Sequence, residues 1–189
     1  MLDWAMASGL WVSPSSSRLN VYSFTVTREM LEFSIRPAVP NDYDRLGEVM
    51  FEAVRDGTPQ YTDAQRFAWV PEPRSGPAWH NRLNLQTTFV AEDENSLLGF
   101  MSLVNNYVDF AYIRPAARGS GMFRMLYNEI EAVACRSNFK RLWTHSSLTA
   151  QPAFTAVGFH IKSKESVQIG DASLDRFEME KTFVAPVSG

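Results

Sequence analysis

The sequence predicts a mixed α/β or α+β sandwich built around one core. Two observations carry this. Segments that alternate every second residue and segments with helical spacing follow one another as β-α-α-β-β-β-α-β-α-β-β, without the regular βαβ repeat of a doubly wound sheet. The chain also has 189 residues, 45% hydrophobic and 21% charged, a length and balance suited to a single sizeable core.

The elements follow in order. "FSIRPAV", Phe33 to Val39, alternates as a strand and stops at Pro40. Asn41 can cap the next helix, with Asp42 and Asp44 in its first turn, where carboxylates suit the helix dipole. Tyr43, Leu46, Val49, Met50 and Ala53 then mark one helical face, and Gly57-Thr58-Pro59 breaks it. Tyr61 to Val70 reads as a short helix capped by Thr62. "PEPRSGP" is a turn-rich loop, and "AWHNRLNL" supplies another helical turn or two. "TTFVAED" and "LLGFMSLV" form a hairpin about the polar turn at Glu92 to Ser96. Asn105-Asn106 turns into the strand "YVDFAYI", and a helix over Met122 to Ser137 follows. The strand "RLWTHSS", the short helix "AQPAFTAVG", the strand "FHIKSKE" and a last strand near "RFEMEKTF" complete the domain, over residues 32–183. Residues 184–189 read as a tail. Residues 1–31 read as an extension, since "SPSSS" is a loop signal and Asp3 stands where a secretory signal needs positive charge. Met30, just before the first strand, is an alternative start.

Composition excludes several classes of function. The net charge is -3, and no cluster of Lys and Arg overrides it, which argues against nucleic acid as a partner. No apolar run approaches the roughly 20 residues of a membrane helix. A single cysteine, Cys135, permits no internal disulfide, fits the reducing cytoplasm, and is read as a small buried side chain rather than a nucleophile. His80, His145 and His160 are isolated, without metal-ligand spacing, so no metal is expected. "THSS" lacks the Gly-x-Ser-x-Gly elbow of serine hydrolases.

The chemistry concentrates in "AYIRPAARGSGMFRMLYNEIEAVA", Ala111 to Ala134. A strand, a glycine-containing loop and a long helix follow one another there. A helix N-terminus carries unpaired N–H groups and partial positive charge, and glycine lets an anion approach the backbone. Arg118 adds charge at the loop's start. Residues Arg118, Gly119, Ser120, Gly121, Met122 and Phe123 therefore read as a cradle for phosphate or pyrophosphate, in competition with a plain turn. Walker A is excluded by Met122-Phe123, and the dinucleotide fingerprint by Arg124 at its third glycine position.

"YIRPAARGSGMFRML" resembles motif A of the GNAT superfamily of acetyl-CoA-dependent N-acyltransferases, Arg/Gln-x-x-Gly-x-Gly/Ala. Arg118 and Gly121 match it, Gly119 matches a common neighbour, and Phe123 departs from the usual Gly or Ala. "AQPAFTAVGF" resembles the family's motif B at Ala150, Gly158 and Phe159, and "FSIRPAVPNDYDRL" resembles its first strand and helix. "YTDAQRFAW" with a later Trp looks like an uncharacterised bacterial subgroup. The resemblance implies a GNAT fold: a mixed, mostly antiparallel twisted sheet of six to seven strands flanked by helices, with splayed central strands holding acetyl-CoA. The strand at Tyr112 and Ile113 would bond the cofactor's pantetheine arm through its main chain, and the Arg118–Phe123 loop would take the pyrophosphate. Phe154 would stand near the cofactor, where relatives carry a tyrosine that protonates the leaving thiolate. Thr149, Ser147 and Tyr112 are stand-ins for that proton.

Asp109 lies where many relatives carry a glutamate base, and an ammonium needs a base before it can attack a thioester. Its alternatives are pairing with an arginine or contact with solvent. Acceptor recognition would fall between the first helix and second strand, on Tyr61, Gln65, Trp69, Trp79 and His80. Packing onto the sheet is the alternative for the two tryptophans, and a base role is open for His80. The implied activity is acetyl transfer to a primary amine of a small molecule, or of a peptide, by direct attack. Phe123 and Phe154 keep open an acyl-CoA-binding module without turnover. Dimers are frequent among relatives, so a homodimer stays open.

Overall fold

The computed structural model describes residues 32–183, so the readings for 1–31 and 184–189 lie outside the described residues. Seven strands form one sheet: β1 (Ser34–Pro37), β2 (Thr87–Glu92), β3 (Leu97–Val104), β4 (Tyr107–Ile113), β5 (Arg141–Ser147), β6 (His160–Ile169) and β7 (Ala172–Thr182). The helices are α1 (Tyr43–Arg55), α2 (Asp63–Trp69), α3 (Gly76–Asn84), α4 (Met122–Arg136) and α5 (Gln151–Ala156). The spatial order is β1-β2-β3-β4-β5-β7-β6. All neighbours are antiparallel except β4 and β5, which run parallel and share a single register pair, Tyr107 with Trp143. Beyond it the two strands separate toward Ile113 and Ser147. The mixed, mostly antiparallel sheet with a splayed centre is the fold the sequence implied.

Two apolar layers hold the sheet. On one face α4 contributes Met122, Leu126, Tyr127 and Ile130 against Met101, Leu103 and Val108. On the other, Leu46, Val49 and Met50 of α1 and Trp79 and Leu83 of α3 pack on Val90, Phe100 and Phe110. The spacing of these residues on α1, three or four apart, sets its buried stripe.

Two element boundaries fall where the sequence placed a Thr62 cap and a polar turn at Glu92 to Ser96. Thr62 Oγ1 accepts from the Gln65 N–H at 3.3 Å and Gln65 Oε1 accepts from the Thr62 N–H at 2.8 Å, a reciprocal cap for α2. Asp93 turns the β2–β3 hairpin by accepting from the N–H groups of Asn95 and Ser96 at 2.8 and 2.7 Å. Three details differ from the sequence reading. A 3₁₀ turn at Pro40–Asp42 precedes α1, and the buried Asp42 carboxylate, not Asn41, accepts the Val39 N–H at 2.9 Å. Asp42 there also takes two bonds from Arg36, at 2.7 and 3.0 Å, while Glu92 takes two more at 2.7 Å each, so one guanidinium ties β1, β2 and the entry to α1. Cys135 is exposed on α4 rather than buried, because it falls off the stripe marked by Leu126, Ile130 and Ala134. Finally, β6 and β7 are longer than "FHIKSKE" and "RFEMEKTF" and join at Gly170, whose φ is 57°.

Candidate active site

The splay leaves the β5-facing main chain of β4 without a strand partner past its first residues. Thr144 Oγ1 fills one gap by donating to the Val108 carbonyl at 2.9 Å. Further along, the edge at Ala111, Tyr112 and Ile113 borders a cavity of about 370 Å³. Gly119, Gly121, Met122 and Phe123 close one end of it, and Ser147, Thr149, Ala150, Ala153 and Val157 the facing side. Gly121 is the N-cap of α4 with φ 89°, a conformation other residues rarely hold, and a Cβ there would meet no atom within 4 Å. The first turn of α4 thus borders the cavity, with the Met122 N–H donating to Ser120 Oγ at 3.4 Å. An extended amide-bearing ligand can add to the free edge of β4 while an anionic group sits on that turn.

A second cavity of about 350 Å³ opens on the other side of the splay. The two share Trp69, Tyr112 and Ser147, which stand at their junction. The second cavity is the more charged, bordered by Arg74, Arg82, Asp109, His145, Asp175 and Arg176.

Asp109 reaches it through a β-bulge. Leu103 pairs with Val108 and Ser102 with Phe110, so Asp109 is one extra residue on β4. The Phe110 N–H that the bulge displaces is accepted by the buried Ser102 hydroxyl at 3.2 Å. The Asp109 carboxylate receives Arg82 at 2.9, 2.9 and 3.2 Å and Gln86 Nε2 at 2.6 Å. Pairing with an arginine, the alternative noted for it, is what the geometry gives.

The other sequence-predicted residues divide. Tyr112 and Ile113 line the first cavity, and burial pushes the Tyr112 phenol well above its usual range. Arg118 also lines it, but its guanidinium donates to the carbonyls of Ala53, at 3.0 Å, and Gly57 at the end of α1. Ser120 Oγ donates to the Ala117 carbonyl at 2.8 Å and shapes the loop from within. Thr149 borders the cavity and donates to Gln60 Oε1 at 2.6 Å. Phe154, expected beside the cofactor, is instead buried in the α4-side layer and is not among the lining residues. The reason is its partners: Phe123 stands edge-on to it at 5.0 Å and Phe159 at 5.1 Å. The two departures from the family pattern pack on each other.

Of the acceptor candidates, Tyr61 and Trp69 border the second cavity. Tyr61 is a brace as well, its hydroxyl donating to Asp175 O at 2.6 Å and accepting from the Leu148 N–H at 3.0 Å. Gln65 Nε2 donates to Ser173 O at 2.7 Å. Trp79 is core, with its indole N–H on Tyr43 O at 2.7 Å and its ring on Phe110, and it borders neither cavity. Neither does His80, which pairs with Asp44 at 2.7 Å.

Sequence reasoning missed Tyr107, His145, Glu165 and Arg176. Tyr107 Oη lies 3.1 Å from His145 Nδ1, and His145 Nε2 lies 3.0 Å from Glu165 Oε1. Glu165 also accepts from Arg176 Nε at 3.0 Å, its register partner across β6 and β7. Burial holds the His145 imidazole below its ordinary value, with Arg176 adding to the shift and Glu165 and Glu178 opposing it. The one signal in the sequence was the alternation of "RLWTHSS", which puts Trp143 and His145 on the same face.

A family model described as acetyltransferase (GNAT) domain matches residues 58–183. The chain belongs to the GNAT acetyltransferase family. It is similar to the uncharacterised N-acetyltransferase YafP of Escherichia coli K12, with 25% identity over 151 residues, covering 79% of this chain and 96% of the relative. Among solved structures, a GCN5-related N-acetyltransferase from Rhodopseudomonas palustris superposes with a TM-score of 0.76 at 24% identity, over 82% of this chain and 98% of that one. The PaiA N-acetyltransferase of Thermoplasma acidophilum, solved with coenzyme A, gives a TM-score of 0.63 at 20% identity, over 81% of this chain and all (100%) of its own. As a GNAT enzyme the chain is an acyltransferase, and no metal-holding cluster of His, Cys, Asp and Glu occurs among the described residues. None of its described helices is long and apolar enough to cross a membrane.

Proposed function

We propose that this GNAT enzyme moves acetyl from acetyl-CoA to a primary amine of a small molecule by direct attack, without an acyl-enzyme. The observation that supports this most is the meeting of two cavities at Trp69, Tyr112 and Ser147, beside the open end of the splay. Acetyl-CoA would lie in the first cavity. Its pantetheine amides would bond the β4 main chain at Tyr112 and Ile113, and its pyrophosphate would rest on Gly119 to Phe123. The thioester would then reach the junction, and the amine would approach from the second cavity along Tyr61 and Trp69. Polarisation of the thioester by main-chain N–H groups and fixed orientation of the two reactants would supply most of the rate. With Phe154 buried, the leaving thiolate would take its proton from Thr149, Ser147 or solvent. The acetyltransferase domain would span 32–183, with 1–31 as an extension and 184–189 as a tail.

Calorimetric titration with acetyl-CoA, followed by thiol release across a panel of primary amines, tests this. Binding with thiol release for a subset of amines is expected. Binding without release for any amine would leave an acyl-CoA-binding module in its place.

A further inference from the structure

The second cavity borders a cluster of titratable side chains apart from Asp109. Its parts come from three strands of the sheet: Tyr107 on β4, His145 on β5 and Glu165 on β6. Glu165 Oε1 lies 3.0 Å from His145 Nε2, an ion-pair distance that favours the His145 proton on that nitrogen, since a carboxylate only accepts. In that tautomer Nδ1 carries the lone pair and accepts from the Tyr107 hydroxyl, 3.1 Å away. An imidazole with a carboxylate near one nitrogen and a hydroxyl at the other is the order of groups that moves protons in hydrolytic triads. Trp143 lies tilted against Tyr107 at 4.5 Å and stands edge-on to His145 at 5.4 Å, packing on both rings.

We propose that Tyr107, His145 and Glu165 form the relay that deprotonates the acceptor ammonium before it attacks the thioester. This rests on the transferase reading above. The N–H bond of the ammonium breaks and its proton passes to Tyr107 Oη, as the proton of Tyr107 passes to His145 Nδ1. The imidazolium so formed keeps Nε2–H on Glu165. The amine lone pair then forms the C–N bond, the C–S bond breaks, and the second amine proton goes to the CoA thiolate. The proton on His145 leaves to solvent, so one ammonium and one thioester yield one amide, one thiol and one proton.

The charged and titratable groups around His145 are consistent with this task. Glu165 faces it from β6, Arg176 and Glu178 from β7, Tyr107 and Asp109 from β4, and Arg82 of α3 borders the same cavity. Arg82 is taken by Asp109, while Arg176 shares Glu165 Oε1 with His145 and adds to the lowering of the imidazole. Burial keeps the imidazole neutral near pH 7, the form that accepts a proton. Asp109 has Arg82 and Gln86 on its oxygens.

The test uses the full chain, acetyl-CoA and two probe acceptors. 2-Phenylethylamine is an ammonium at pH 7 and needs a base, whereas hydroxylamine is already mostly neutral and does not. His145→Gln and Tyr107→Phe should lower kcat/KM for 2-phenylethylamine by about 100-fold or more. Both should leave the hydroxylamine rate and the acetyl-CoA affinity within about threefold. Wild-type kcat/KM for 2-phenylethylamine should fall as pH drops through the ionisation of His145, and that limb should vanish in His145→Gln. Equal losses with both probes, or an unchanged acid limb, would overturn the relay and leave the transferase standing. NMR of the His145 ring in the unliganded chain gives a reading independent of turnover. Its titration should lie below that of an ordinary histidine and move in both Glu165→Gln and Tyr107→Phe. A ring indifferent to both variants would also overturn the relay, whereas a wild type inert to every amine would overturn the transferase reading.

Discussion

Gly121→Leu separates the cost of a strained backbone from the loss of a binding surface. Gly121 has φ 89°, where a side chain costs about 1–2 kcal/mol. A Cβ there meets no atom within 4 Å, so no clash adds to that figure. For a domain of this size the melting temperature should therefore fall by about 2–8 °C. The open space that spares the fold is the mouth of the first cavity over the start of α4, and leucine would fill it. Acetyl-CoA affinity should fall by about tenfold or more, which is about 1.4 kcal/mol or more. Gly76 supplies the control. It has φ 74°, meets nothing within 4 Å, and opens α3, where it borders neither cavity. Gly76→Leu should cost similar stability and leave acetyl-CoA affinity unchanged. Calorimetric titration and thermal denaturation of both variants give the answer. If Gly121→Leu binds acetyl-CoA as the wild type does, the start of α4 is not where the pyrophosphate rests.

Three further outcomes follow from the same geometry. Asp109→Asn should keep acetyl-CoA affinity and slow transfer less than tenfold with an unaltered pH profile; loss of the acid limb in that variant would return the base role to Asp109. Arg36 holds the Asp42 and Glu92 carboxylates below their ordinary values, for Asp42 against the larger opposing effect of burial. Their contribution to stability is thus present above the unfolded carboxylate range, near pH 4, and is lost as pH falls through the lower folded values. In Arg36→Met the buried Asp42 loses its partner, at a cost of about 3 kcal/mol at neutral pH. Burial then raises its pKa, so urea midpoints should rise on acidification from neutral pH; a midpoint that falls would contradict the account. Lastly, Arg74 borders the second cavity and has no ion-pair partner among the described residues, whereas Arg82, Arg176 and Asp175 are all paired. Any preference of the wild type for phenylalanine over 2-phenylethylamine should disappear in Arg74→Ala, and a preference that survives would move carboxylate recognition elsewhere.

The elements that carry strong local signals were legible. Thr62 with Gln65, Asp93 with Ser96, and the alternation of "RLWTHSS" each state a cap, a turn or a strand within a few residues. The tips of β6 and β7 were not, because the outer residues of β6 alternate between exposed and half-exposed positions and give no apolar period. That loss extended to the site, since Val167, Ile169 and Leu174 at those tips border the second cavity. For Trp79 the packing alternative holds, and His80 borders neither cavity. Density of aromatic residues in the expected segment suggested a pocket, yet α3 turns Trp79 inward and leaves His80 on Asp44.

The bulge at Asp109 shows why the site was harder to read than the fold. As an unbroken strand, "YVDFAYI" would place Val108, Phe110 and Tyr112 on one face and Tyr107, Asp109 and Ala111 on the other. The structure has Val108 and Ala111 in the layer under α4, and Phe110 and Tyr112 in the layer under α1 and α3. One extra residue reverses the phase, and the buried Ser102 hydroxyl makes the reversal affordable by accepting the displaced N–H. Past the bulge, β4 turns Tyr112 toward the junction of the cavities; before it, Tyr107 remains against β5 within reach of His145. The bulge thus sets the two ends of β4 to different phases. Period-two reading cannot supply that, because the cause is a Ser102 hydroxyl on a neighbouring strand.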